Sequence, residues 1–340
     1  VTSFPDPSGG RGTWIGQYMQ ILVGDTIYFD AEGNNGFEIW AHNTSNSSTW
    51  QVTDINSLTE TADSYPGKYG DILVGDTIYF SAWDGASGHE LWAHDTRNSS
   101  TWMVADIYRG TDGISALNSS YPGQYVLVLV DYTIYFDAVD GVNGRQIWAH
   151  DISNSSTWMV TEDIEIYGSS PGLNSILVGD TLYFSADDGI SGSELWAHDT
   201  SNSSTWQVAD IRSGSRGCSF AVYSWIILIG DTIYFNADDG VTGKELWAHD
   251  TSNSSTWQVA DINPGSAYSW PGRLGEAIVI QDTFYFNVFR QAETGSELWV
   301  HDTSNSSTWM VADINNGVGD SDPLMRLAIL VGDTLYFSAD

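Results

Sequence analysis

Short apolar runs punctuated by glycine and aspartate recur along the chain. Ile226-Ile227-Leu228-Ile229 leads into Gly230-Asp231 and then Thr232-Ile233-Tyr234-Phe235-Asn236. Apolar runs on both sides of a Gly-Asp pair predict a hairpin, because glycine supplies the positive φ that a tight primed turn requires. These are strands A and B, and the A run is apolar at both parities, as in a strand covered on both faces. Asp238-Asp239-Gly240 and Gly243 then form a turn cluster, and Glu245-Leu246-Trp247-Ala248-His249-Asp250 predicts strand C. Thr251 to Ser255 is a polar reversal, after which Thr256-Trp257-Gln258-Val259-Ala260-Asp261-Ile262 alternates as strand D. No window favours a helix, since Ala, Leu, Lys and Glu are sparse while Val, Ile, Thr, Tyr and Trp dominate.

The four-strand unit returns about every 50 residues, within the period of propellers and arrays. Its clearest marker, NSSTW, starts at Asn46, Asn98, Asn154, Asn202, Asn253 and Asn305, and the repeats begin near positions 22, 73, 129, 177, 228 and 279, with a partial one near 330. The expectation is an all-β fold: a β-propeller of four-stranded antiparallel blades, six full repeats plus a partial seventh, with residues 1–340 as a single repeat domain. A β-solenoid is the main rival. Its coils are usually shorter and its strands parallel, so the hairpin signals at Gly75-Asp76, Gly179-Asp180 and Gly332-Asp333 count against it. The seventh copy stops after Leu330-Val331-Gly332-Asp333-Thr334-Leu335-Tyr336-Phe337, and Val1 to Gln20 hold about one linker's length. Two expectations follow: a segment of a longer chain, or a last blade completed by a neighbouring molecule, because bare strand edges invite pairing.

Charge narrows the partners. With 44 acidic against 11 basic residues and a net charge of −33, nucleic acid and anionic membranes are disfavoured and cations favoured. Cys218 is the only cysteine, so no intrachain disulfide forms. A buried, inert thiol is expected there, with a crosslink between two chains as the alternative. The residues after Val1 are polar and Pro/Gly-rich, unlike a signal peptide, which suggests a mature or partial chain. The longest apolar stretch, Tyr125 to Phe136, is broken by Asp131 and falls short of the ~20 residues of a membrane span.

Each NSSTW copy contains the Asn-x-Ser acceptor for N-glycosylation. Asn46, Asn98, Asn154, Asn202, Asn253 and Asn305 all fall in the polar C–D reversal, and Asn43 and Asn118 add two less regular acceptors. Asn and Ser also serve turn geometry, and the two readings are compatible. The acidic turns Asp187-Asp188-Gly189 and Asp238-Asp239-Gly240 are the candidate calcium sites, because a hard cation needs several oxygens from a tight loop bent at a glycine. The bland reading is Asp/Gly turn chemistry. Repeat one has Ala31-Glu32-Gly33 and repeat six Val288-Phe289-Arg290 at this place, so a cation in every blade is not expected.

One histidine per repeat, at His42, His94, His150, His198, His249 and His301, predicts a structural role, each ring bonded to its own hairpin. The Trp pairs, such as Trp196 with Trp206 and Trp247 with Trp257, are expected to pack between blades, with sugar stacking as the rival reading.

Asp187-Asp188-Gly189, Gly192, Glu194-Leu195-Trp196, Asp199, Thr205 and Asp210-Ile211 together resemble the repeat of the ELWxxDGTxxGT-type secreted bacterial proteins. The resemblance covers almost the whole chain. It implies an extracellular, propeller-forming array without a defined reaction. The chain departs from that pattern at Asp199-Thr200-Ser201 and Ser204-Thr205, where a sequon occupies the hairpin.

The expected function is therefore that of a secreted, acidic, N-glycosylated repeat protein with a structural or interaction role in an extracellular assembly. It would carry covalent N-glycans and either self-associate or meet matrix or surface partners, in one form as a fibre joined head to tail. No cofactor is expected beyond the candidate calcium. A carbohydrate- or ligand-binding module is the alternative, and a polysaccharide-acting hydrolase or lyase the second, with the repeat-breaking acids Glu162, Asp163 and Glu165 as its candidates.

Overall fold

The computed structural model describes residues 15–59, 62–109, 118–162, 164, 175–214, 225–273, 277–290, 293–325, 328–332 and 334–340. Cys218, Asp163 and Glu165 lie outside them. The chain divides into two compact units, Val1–Ile166 and Tyr167–Asp340.

The first unit holds three antiparallel sheets, each with its strands in sequence order. They are β1 (Ile15–Val23), β2 (Thr26–Gly33), β3 (Gly36–Asn43) and β4 (Thr49–Gln51); β5 (Asp71–Val74), β6 (Thr77–Trp83), β7 (His89–Asp95) and β8 (Ser100–Ala105); and β9 (Leu127–Val130), β10 (Thr133–Val139), β11 (Arg145–Asp151) and β12 (Ser156–Met159). The second unit repeats the plan with β13 (Ile176–Val178), β14 (Thr181–Asp187), β15 (Ser193–Asp199) and β16 (Ser204–Ala209); β17 (Ile227–Ile229), β18 (Thr232–Asp238), β19 (Lys244–Asp250) and β20 (Ser255–Ala260); and β21 (Ile278–Ile280), β22 (Thr283–Arg290), β23 (Gly295–Asp302) and β24 (Ser307–Ala312). β25 (Ala328–Val331) and β26 (Thr334–Phe337) form a two-stranded sheet. No described residue is helical, and among the described residues no helix is long and apolar enough to cross a membrane.

The predicted A–D strands fall on the observed ones. Gly24, Gly75, Gly179, Gly230 and Gly332 take φ between 57° and 60° in the A–B turns. Asp131 and Gln281 hold the same left-handed conformation, at 53° and 54°, where the other repeats have glycine. The first strand departs from expectation, starting at Ile15 inside what reads as linker. Its register shifts between Ile15 and Gln20, and the buried Asp30 carboxylate accepts the Tyr18 and Met19 N–H groups, each at 2.9 Å, holding this irregular stretch against β2.

The inner strands are covered on both faces because alternate residues meet different sheets. Ile78, Phe80 and Ala82 of β6 pack with Tyr28, Ile39 and Ala41 of the preceding sheet, while Tyr79 joins Leu91, Ala93, Ile134, Phe136 and Ala138 toward the next. In the second unit, Tyr183, Leu195 and Ala197 meet Ile233, Phe235 and Ala237, and Tyr234, Leu246 and Ala248 meet Phe284, Phe286 and Val288. Alanine at the third contact position lets the sheets approach, while each buried Phe contributes on the order of 1.5–3 kcal/mol.

Consecutive sheets are also joined through the linker that follows strand D. Ser120 donates its N–H to the His89 carbonyl at 2.9 Å, and its own carbonyl accepts from Val139 N–H at 2.8 Å, so one residue bridges β7 and β10. Ser64 joins Phe37 to Trp83, and Ser269 joins Lys244 to Phe289, in the same way. The glycine opening strand C lets this linker pass close by. A Cβ on Gly88 would stand 2.1 Å from the Asn118 carbonyl oxygen, and one on Gly295 would stand 2.3 Å from that of Gly319.

Candidate functional site

Each four-stranded sheet has two chemically different ends. The A–B turn and the C–D hairpin share one end, tied by Thr44, Thr96, Thr200, Thr251 and Thr303, whose N–H groups donate to carbonyls of the A–B turn at 2.8–2.9 Å. The B–C turn and the interblade linker share the other.

The six regular acceptor asparagines sit exposed at the hairpin end. Asn202 shows the local design. Its Oδ1 accepts Ser204 N–H at 2.9 Å, and its Nδ2 donates to Asp199 Oδ2 at 2.6 Å. Asp199 Oδ1 accepts the N–H and hydroxyl of Ser201 at 2.9 and 2.6 Å, contacts that hold its carboxyl below the usual range. Asn98, Asn154, Asn253 and Asn305 donate equivalently to Asp95, Asp151, Asp250 and Asp302. An amide nitrogen carries two hydrogens, so one engages aspartate and the other remains for a glycosidic link. The residue after each asparagine, Ser47, Ser99, Ser155, Ser203, Ser254 or Ser306, lies at φ 57–61°.

The irregular acceptors differ. Asn43 stands where the other hairpins have aspartate: its Oδ1 accepts from Ser45 and Asn46, and its Nδ2 donates to Thr26. Asn118 is buried, only 8% exposed, in the linker beside Ser119 and Ser120.

The acidic B–C turns use their carboxylates internally. Asp188 Oδ1 accepts Ile190 N–H, Ser191 N–H and the Ser191 hydroxyl at 2.7–2.9 Å, and Asp239 does the same with Val241 and Thr242. Asp187 caps Gly189, while Asp238 caps Gly240 and pairs with Arg212 at 2.9 Å. No group of three or more His, Cys, Asp or Glu gathers among the described residues. The carboxylates of Asp187, Asp188, Asp238 and Asp239 thus all bond backbone N–H groups of their own turns.

The repeated histidines bond their own hairpins. His42, His94, His150, His198, His249 and His301 lie 2.7–2.8 Å through Nδ1 from the strand D threonine. Several also touch a tyrosine of the preceding sheet, as in Tyr28–His94 at 5.9 Å and Tyr234–His301 at 5.5 Å between centroids. Burial pushes His94, His150, His198 and His249 below their ordinary value, and His301 down to about 4.

The Trp pairs divide. Trp92, Trp148, Trp247 and Trp299 of strand C pack against the intersheet cores, whereas Trp50, Trp102, Trp158, Trp206, Trp257 and Trp309 of strand D are 40–45% exposed. The packing expected of both members therefore holds for the first and not the second.

Sequence reasoning did not single out a buried carboxylate at the linker end. Glu245 accepts Ile262 N–H at 2.8 Å and the Ser269 hydroxyl at 2.7 Å. Glu90 does so with Ile107 and Ser120, and Glu297 with Ile314 and Ser321. Burial pushes Glu38 up, Glu90 up to about 8 and Glu245 up to about 7, against the lowering effect of these donors. The signal in the sequence is the constant spacing of 17 from the Glu of Glu-Leu-Trp to the isoleucine after strand D. The third sheet has Gln146 instead, which accepts from the Thr161 hydroxyl and donates to the Asn143 carbonyl at 3.0 Å.

No family model matches the chain, and no curated protein matches it. Solved structures do. The dipeptidyl peptidase 4 of Porphyromonas gingivalis aligns over 88% of this chain at 10% identity and TM-score 0.56. One of two prolyl endopeptidases studied for inter-domain dynamics aligns over 96% at 12% identity and TM-score 0.51. The chain spans 45% and 46% of those proteins' lengths. At such identities the likeness speaks for fold alone. Together with the four-stranded antiparallel sheets, it places the chain among all-β proteins of β-propeller type.

Proposed function

We propose that this chain is a secreted, N-glycosylated propeller module with an interaction role in an extracellular assembly. The observation carrying the proposal is the sixfold recurrence of one hairpin geometry. Six acceptor asparagines stand exposed at the same end of six sheets, five of them with one amide hydrogen held by aspartate. Sugars there extend into solvent without disturbing a strand, beside a strand D tryptophan that is itself exposed. Catalysis is no part of the proposal, because the recurring polar groups already serve turns, linkers and hairpins. In its fibre form the proposal adds contact between copies through β25 and β26, where Ile329, Val331 and Tyr336 are exposed.

Expression through a eukaryotic secretory pathway tests the reading. Recovery from the medium with a mass that falls on enzymatic removal of N-glycans is the expected result. Secreted but unglycosylated protein would overturn the glycoprotein reading, and a single monodisperse species across a wide concentration range would overturn the fibre form. Detection of polysaccharide cleavage that disappears in Glu162→Gln would favour the hydrolase or lyase reading instead.

A further inference from the structure

The linker end of the first unit carries an aromatic cluster, in which the Tyr65 hydroxyl donates to Asp63 Oδ2 at 2.6 Å. It is built from two linkers of like sequence, Ser64-Tyr65-Pro66-Gly67-Lys68-Tyr69 and Ser120-Tyr121-Pro122-Gly123-Gln124-Tyr125. Two of their rings, Tyr69 and Tyr121, converge on His89, the one histidine out of step with the repeat. Tyr69 meets His89 and Tyr121 edge-on, each at 4.9 Å between centroids. Trp83 and Tyr121 each lie nearly parallel to the His89 ring, at 6.3 and 6.2 Å. Tyr65 stacks on Phe37 at 5.6 Å.

Cations are scarce in this chain, yet two are here. Lys68 Nζ stands 4.9 Å from the Tyr65 ring centroid and 5.5 Å from that of Tyr69, exposed, and no carboxylate among the described residues pairs with it. Arg145 lies 4.9 Å from the Tyr125 ring centroid, bonded to Asp137 and to Gln124 Oε1. Two buried polar atoms in the cluster, His89 Nδ1 and Trp83 Nε1, have no hydrogen-bond partner. The linker tyrosines Tyr65 and Tyr121 hold φ of 46° and 51°, a left-handed conformation that bulky residues seldom adopt. The unpartnered His89 Nδ1 and an exposed cation with no carboxylate partner among the described residues point to a binding role for this cluster.

We infer that this cluster binds a carboxylate-bearing saccharide. Flat ring faces suit the C–H faces of pyranose rings, Lys68 suits a uronate carboxylate, and Trp83 and His89 can bond hydroxyls when the overlying rings move aside. A short acidic peptide would use the cation but has no need of parallel ring faces. The linker in the second unit supports the assignment. There Trp270 holds φ 46°, with Lys244 Nζ at 4.2 Å and Arg273 at 5.5 Å from its ring centroid. The surface lies at the opposite end of each sheet from the acceptor asparagines, so it binds whether or not the hairpins carry sugar.

Calorimetric titration of the full chain with an alginate-derived hexuronate hexasaccharide, cellohexaose and hexaglutamate provides the test. The hexuronate is expected to bind and the other two to bind at least about tenfold more weakly. Lys68→Gln should weaken hexuronate binding about tenfold, the share of one charge-assisted hydrogen bond, and the loss should shrink in 1 M salt, where screening acts within ~3 Å. Tyr65→Gly removes a ring at a φ that glycine accepts readily and should weaken binding without unfolding the chain. Arg97→Gln, at the hairpin end, should leave it unchanged. No hexuronate binding, equal binding of hexaglutamate, or full affinity in folded Lys68→Gln and Tyr65→Gly would each overturn the inference.

Discussion

Replacing Glu245 with glutamine isolates what the buried linker carboxylate does to stability. In the folded chain Glu245 is fully buried against Ile262 N–H and the Ser269 hydroxyl, and its pKa rises from 4.5 to about 7. Folding therefore favours the protonated acid. Its contribution is fully present below pH 4.5 and is lost as pH rises through about 7. At ~1.4 kcal/mol per unit, the full swing is about 3 kcal/mol. Glutamine keeps the shape and one acceptor oxygen without titrating, and Gln146 already fills this position in the third sheet, so Glu245→Gln should fold. Chemical denaturation of both proteins at pH 5 and pH 8 gives the measurement. The wild type should lose up to about 3 kcal/mol more than the variant between the two. Equal losses would refute the reasoning, since they would place the pH dependence elsewhere.

His94, His150, His198, His249 and His301 act with the opposite sign. Their lowered pKa values contribute stability above pH 6.5 that is lost as pH falls, for His301 through about 4. NMR titration should find its ring still neutral at pH 5, and Thr308→Val, which removes its partner, should cost about 1 kcal/mol by thermal unfolding. Ser254→Gly relieves a non-glycine residue at φ 59° and should stabilise by about 1 kcal/mol in the same assay, leaving the sequon intact. Gly88→Ala forces a Cβ against the Asn118 carbonyl at φ 84° and should destabilise by more than about 2 kcal/mol, as read by denaturant midpoint.

Strand periodicity was readable in the sequence because each strand keeps alternation and turn chemistry in one short window. Gly230-Asp231 marks its hairpin, and Ile233, Phe235 and Ala237 mark a buried strand. Contacts between windows were less readable. Glu245 meets Ile262 and Ser269 across a whole strand and a linker, and the familiar Glu-Leu-Trp spelling conceals that it is a clasp. Trp247 and Trp257 look alike in sequence, but one lies on an inner strand, partly buried against the intersheet core, and the other lies exposed on the sheet edge. The cluster around His89 was missed because its residues come from two linkers and two strands, and because His89 itself has no counterpart in the other repeats. The acidic turns read two ways in sequence because the carboxylates a cation would take are the same groups that cap the turn amides.

Peptide mapping by mass spectrometry, on protein secreted from a glycosylating host and treated to mark formerly glycosylated asparagines, tests the central claim most directly. The hairpin geometry predicts marked asparagines at Asn46, Asn98, Asn154, Asn202, Asn253 and Asn305, and an unmarked one at the buried Asn118. Unmarked hairpin asparagines in that material would contradict it, leaving the repeated Asn-Ser-Ser as turn chemistry alone.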